Sequence, residues 1–118
     1  MIHKEPVRVD LLRGTLDLLI LRTLIAGSRH GHAIAKHIQR TSEELLQVET
    51  GSLYPALHRL EAKGWIVASW ELSDKGKRAR YYRLTARGRK QLASEQSNWQ
   101  AFSRAMGLIL NSVDQEGQ

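Results

Sequence analysis

No cysteine occurs among the 118 residues, which removes disulfides and thiolate chemistry and suits a reducing cytoplasm. Long apolar runs are also missing. The stretch Leu18 to Leu21 is closed by Asp17 and Arg22, and no signal-peptide pattern precedes it, so the chain is expected to be soluble, cytoplasmic and without a membrane partner. There is no internal repeat and no low-complexity linker. The glycines form no phosphate-cradling loop followed by Lys-Ser or Lys-Thr. His30, His32 and His37 lie close together, but no neighbouring Asp, Glu or Cys completes a metal set. Ser52 and His58 would face different sides of one short helix and so do not assemble a nucleophile with its base. These absences argue against an enzyme and against any metal or other cofactor.

Acidic residues are missing where the cations gather. From Lys75 to Lys90 there are eight Lys or Arg and no Asp or Glu, nearly half of the chain's 18 basic residues. The formal net charge of +6 and the pI near 10.1 favour an anionic partner, although charge alone would also suit an acidic protein or a membrane surface. A charge run is often only a solvated face. Here it is one-signed and begins at a turn, Asp74-Lys75-Gly76-Lys77-Arg78-Ala79, between two segments of alternating apolarity. Ile66, Ala68, Trp70 and Leu72 mark the first strand and Tyr82 and Leu84 the second, which predicts a half-buried β-hairpin with a basic tip.

A helix is expected just before the hairpin. Leu53, Ala56, Leu57 and Leu60 form one apolar stripe, leaving Gly51, Pro55, His58, Arg59 and Ala62 outward. Pro55 lacks a backbone donor and is expected in the first turn, which favours Ser52 over Thr50 as N-cap. Upstream, residues 1 to 10 read as a loose arm and Leu11 to Ala26 as a helix packed on two sides and stopped by Gly27. Gly31 to Thr41 reads as a second helix with Ile34, Ala35 and Ile38 inward, and Leu45, Leu46 and Val48 should fill the connection that follows. Thr85 is the expected N-cap of a last helix reaching Asn111 or Val113. At 1.5 Å per residue that helix would run roughly 40 Å, longer than the domain is wide, so part of it should project. Leu92, Trp99, Phe102, Met106 and Ile109 form its seam, which would pack either on the chain's own first helix or on a second copy. An exposed seam favours the symmetric dimer.

The residues Leu53-Tyr54-Pro55-Ala56-Leu57-His58-Arg59-Leu60-Glu61, then Gly64-Trp65-Ile66, then Tyr81-Tyr82-Arg83-Leu84-Thr85 with Gly88, resemble the signature of the PadR family of bacterial transcriptional regulators. With the leucine-rich first helix and Gly31, the resemblance runs from Leu11 to about Val113. It implies a dimeric winged-helix repressor, often one that answers to small toxic or phenolic compounds or controls a neighbouring transport gene. Two departures stand out: His32 follows Gly31 where many members have Tyr, and the C-terminal region is a single helix. In some members a Trp on that helix lines a cavity between subunits where a flat aromatic compound stacks, which makes Trp99 a candidate ligand contact beside its plainer reading as packing.

The expected fold is therefore mainly α with a small β-hairpin: a flexible N-terminal arm (1–10), a winged helix-turn-helix (11–85), and a C-terminal dimerisation helix and tail (86–118). The expected partners are double-stranded DNA, a second copy of the chain and a small aromatic effector. Ser52, Lys75, Lys77 and Arg78 are the candidate phosphate contacts, with Tyr54, His58 and Arg59 placed to read base edges of an inverted repeat. The rival is a winged-helix adaptor that binds another protein.

Overall fold

The structure is a computed structural model and describes residues 7–8 and 14–113. In chain order the elements are β1 (Val7–Arg8), α1 (Thr15–Thr23), a 3-10 turn (Leu24–Ala26), β2 (Arg29–His30), α2 (Gly31–Thr41), β3 (Leu46–Gln47), α3 (Thr50–Ala62), β4 (Ile66–Leu72), β5 (Arg78–Leu84) and α4 (Ala86–Leu110). Three helices followed by a hairpin and a long helix match the winged helix-turn-helix expected from periodicity.

Each helix buries the stripe that its spacing demands. Leu16, Ile20 and Leu21 of α1, Ile34 and Ile38 of α2, and Leu53, Ala56, Leu57 and Leu60 of α3 close one core with Ile66, Tyr82 and Leu84 from the hairpin. Removing such apolar area from water contributes about 25 cal/mol per Å², which makes this cluster the main source of the domain's stability. The first helix ends as expected at Gly27, whose φ of 149° disfavours any other residue there, though its last turn tightens to 3-10 geometry. His30 caps α2, its Nδ1 accepting the Ala33 N–H at 3.1 Å. Thr85 caps α4 as foreseen, accepting the Gly88 N–H at 3.0 Å.

Two short pairings were not foreseen. β2 joins the hairpin, giving a three-stranded sheet in the order β2-β5-β4, with Arg29 opposite Tyr82 and Ile66 opposite Leu84. β1 pairs in parallel with β3, so Val7 and Arg8 of the expected loose arm form a strand, while the rest of the arm and residues 11–13 lie outside the described residues. Strands of two residues carry no periodicity from which to read them.

Five expectations need correction. The carbonyl of Glu49 already accepts the N–H groups of Ser52 and Leu53 at 3.0 and 2.9 Å, so Ser52 is the third helical residue rather than the cap. Pro55 then sits in the second turn, where its missing donor leaves only the carbonyl of the exposed Gly51 without its helical partner. Trp70 and Leu72 are 60% and 70% exposed rather than half-buried, because the hairpin outruns the core it packs on. Leu45 is exposed too, turned out by a bend in which Glu43 and Glu44 take φ of 55° and 65°. Leu92, assigned to the dimer seam, is only 3% exposed and completes the chain's own core.

Beyond Leu92 the last helix leaves the domain. α4 has 25 residues and so spans about 37 Å, and from Trp99 onward its apolar residues Phe102, Met106 and Ile109 are exposed. This projection stretches the molecule to 66 Å along its longest axis.

Candidate nucleic-acid interface

The exposed side of α3 carries Gly51, Tyr54, Pro55, His58, Arg59 and Ala62, and Ser52 is half-buried at its first turn. The face opposite is the Leu53–Leu60 stripe, so this arrangement follows directly from burial. Tyr54 leans back onto the start of α2: a Cβ on Gly31 would lie 2.9 Å from its ring and hydroxyl. Gly31 thus lets the first turns of α2 and α3 approach each other, with 41% of Tyr54 left exposed. His58 projects freely along the exposed side. Arg59 does not, because its guanidinium donates to Asp17 of α1 at 2.7 Å.

At the hairpin tip, Gly76 adopts φ 76°, the Gly76 N–H donates to the Ser73 carbonyl at 2.9 Å, and the Ser73 N–H donates to the Lys77 carbonyl at 2.7 Å. This turn presents Lys75, Lys77 and Arg78 to solvent. Arg78 lies over the Trp70 ring at 5.2 Å. Arg80, opposite Trp70 in the register, donates to Glu61 of α3 at 2.7 Å. That ion pair holds β5 of the wing beside the C-terminal half of α3.

Near the other end of α3, His32 is exposed on the first turn of α2. Its ring stacks on His30 at 6.4 Å, and His30 meets Tyr81 of β5 edge-on at 5.4 Å. Burial pushes the Tyr82 phenol up from its ordinary value, with Arg80 opposing and Glu61 and Tyr54 adding to the rise. His37, on the far side of α2, is held below 6.5 first by burial and then by the positive charges of Arg29 and Arg22. No group of three or more His, Cys, Asp or Glu among the described residues could hold a metal ion.

Two features of this surface escaped the sequence. Asp17 reads there only as the charge ending an apolar run, and Arg80 only as one more cation; their partners Arg59 and Glu61 are 42 and 19 residues away along the chain. A strand register would have placed Arg80 on the side of α3, but no local signal pairs Asp17 with Arg59.

The seam residues divide. Trp99 and Phe102 pack at 5.8 Å with a tilt of 44° and, with Glu95 and Asn98, face Gly14, Thr15 and Leu18 across an open concavity between α1 and α4. Met106 and Ile109 lie further out along the projecting helix.

Residues 20–94 match the transcriptional regulator PadR-like family. This chain belongs to that family. The PadR-like chain is 33% identical over 109 residues to protein X of Lysinibacillus sphaericus, covering 92% of this chain and 99% of that one. Over 92 residues it is also 33% identical to a transcriptional regulator of Mycobacterium tuberculosis, with 78% and 82% covered. Among solved structures, a transcriptional regulator from Clostridium thermocellum superposes with a TM-score of 0.75 at 33% identity, covering 83% and 95% of the two chains. A PadR family transcription regulator from Clostridium difficile gives 0.72 at 31% identity, covering 83% and 100%. The PadR-like chain is thus a DNA-binding transcriptional regulator rather than an enzyme, and none of its described helices is long and apolar enough to cross a membrane.

Proposed function

We propose that this PadR-like regulator is a repressor that binds an inverted-repeat operator as a symmetric homodimer. The observation that supports the reading is the Arg80–Glu61 bond, which holds β5 of the basic wing beside the C-terminal half of α3. With α3 in a major groove, Lys75, Lys77, Arg78 and Ser52 contact phosphates and supply register and most of the affinity, while Tyr54 and His58 reach base edges. Arg59 joins them only by releasing Asp17. Dimerisation buries the apolar residues that α4 leaves in water, Trp99, Phe102, Met106 and Ile109, and brings two copies of α3 to successive grooves about 34 Å apart. Occupying a promoter in this way blocks polymerase.

Footprinting of the DNA upstream of the chain's own gene tests this, together with sedimentation of the free protein. Two protected half-sites one helical turn apart and a dimer are expected. A monomer, or a single unpaired footprint, overturns the reading, and weak binding without sequence preference favours the adaptor alternative.

The concavity beside Trp99 supports a second element, relief by a small planar aromatic compound stacking on that indole. Planar phenolic acids or drugs should then quench Trp fluorescence and release operator DNA. Equal quenching of Trp99→Phe would remove Trp99 from the response.

A further inference from the structure

We propose that Trp70 and Leu72, on the α3-facing side of the hairpin, form an apolar contact with the sugars lining a DNA groove, and that Arg78 holds the indole in place while reaching a phosphate. This rests on the DNA reading above and extends it from the charged tip to an uncharged surface.

The register decides which residues share a face. Ile66 pairs with Leu84, Ala68 with Tyr82, Trp70 with Arg80 and Leu72 with Arg78, all on one side of the sheet. The first members of that row are buried against the core, so the side is the one turned toward α3. Trp70 and Leu72 continue the row past the edge of the core and remain 60% and 70% exposed. The opposite side is chemically different, carrying Glu71, whose carboxylate accepts from the Ser69 hydroxyl at 2.8 Å. Arg83, opposite Val67, lies on that side too, so its charges offset, whereas the Trp70 side carries Arg78 and Arg80 with the tip lysines beside it.

The apolar pair is embedded in that cationic side. Arg78 stacks over Trp70, and Arg80 is drawn to Glu61, which fixes the orientation of the row beside the helix that enters the groove. Lys75 and Lys77 flank it at the tip. A second copy of the chain would bring the same cations against these and be repelled, whereas a duplex neutralises them. Deoxyribose offers an apolar flank between phosphates, so an indole with a guanidinium on its face matches the alternation of sugar and charge along the strand.

The test is a salt series of binding isotherms, by fluorescence anisotropy, for a duplex from the upstream region and a scrambled duplex of equal length. Trp70→Ala should weaken both duplexes by roughly 5- to 20-fold at every salt concentration and leave the salt slope unchanged, because an uncharged contact releases no counterions. Trp70→Phe should keep most of the affinity, and Arg78→Ala should flatten the slope by about one counterion. Since Trp70 is exposed, the thermal midpoint of Trp70→Ala serves to check that the variant is folded. Wild-type binding with an unaltered Trp70→Ala affinity overturns this proposal alone. So does a shift of Trp70→Ala toward monomer in sedimentation, which would give the face to a second copy. Wild type that binds neither duplex removes the DNA reading and this proposal with it.

Discussion

Gly88 is the position where a single added methyl group should do most damage. It is buried in the first turn of α4, and a Cβ there would fall on the Trp65 carbonyl oxygen and lie 2.8 Å from Leu84 Cδ1. The Trp65 carbonyl cannot swing aside, since it accepts the Thr85 N–H at 3.1 Å at the mouth of the hairpin. Relief requires α4 to back away, which breaks that bond, the one from Thr85 Oγ1 to the Gly64 carbonyl at 2.7 Å and the Gly88 cap bond to Thr85 at 3.0 Å. Three hydrogen bonds at about 1 kcal/mol each, and about 1–2 kcal/mol for loosened packing of Leu84 and Leu92, outweigh the roughly 1 kcal/mol that alanine gains over glycine in a helix. Gly88→Ala should therefore lose about 3–4 kcal/mol, read from urea melts followed by circular dichroism at one fixed protein concentration. Gly107→Ala is the control, because the nearest atom to its Cβ is Asn111 Nδ2 at 4.0 Å, and it should be neutral or slightly stabilising. A Gly88→Ala protein within 1 kcal/mol of wild type would refute the inference that this carbonyl sets the root of α4.

The other expected outcomes concern charge. Asp17→Asn should cost under about 1 kcal/mol of stability, since the pair with Arg59 is partly solvated, yet free Arg59 to enter the groove beside Tyr54 and His58. Operator affinity should then rise a few-fold with the salt slope steeper by about one; a loss of affinity in gel shifts would make the pair purely structural. Replacing Lys77 and Arg78 together by Ala should weaken binding to all sequences and flatten the salt slope by up to about two counterions, and an unchanged slope would remove the wing tip from the interface. For His37, burial and two arginines disfavour the protonated imidazole in the folded chain, so its folded pKa lies below 6.5. Its contribution to stability is intact above 6.5 and declines as pH falls through the lower folded value; melts between pH 7.5 and 5 should show that slope reduced in His37→Gln.

Much of the fold was open to inspection in the linear chain because it depends on local repetition. The Leu53–Leu60 stripe, the limits of α2 and the Thr85 cap each follow from spacing or from one side chain answering one backbone group. The place of Pro55 was not legible from its missing donor alone, because the exposed Gly51 tolerates an unpaired carbonyl and so admits proline in the second turn. Trp70 and Leu72 misled because alternation shows which face a residue takes but not how far along a strand the core extends. Of the wing, the cations were legible, while the pairing of Arg80 with Glu61 was not.

The sequence by itself determined the helices, the hairpin, the cationic turn and the family motif, since these are written in periods of two to four residues and in the chemistry of single side chains. Only the tertiary structure decided that Leu92 belongs to the core and Trp99 does not, that Arg59 is held by Asp17, and that Arg80 ties the wing to α3. Those outcomes depend on contacts between distant segments, whose distances are set by how the whole core packs rather than by any neighbour along the chain.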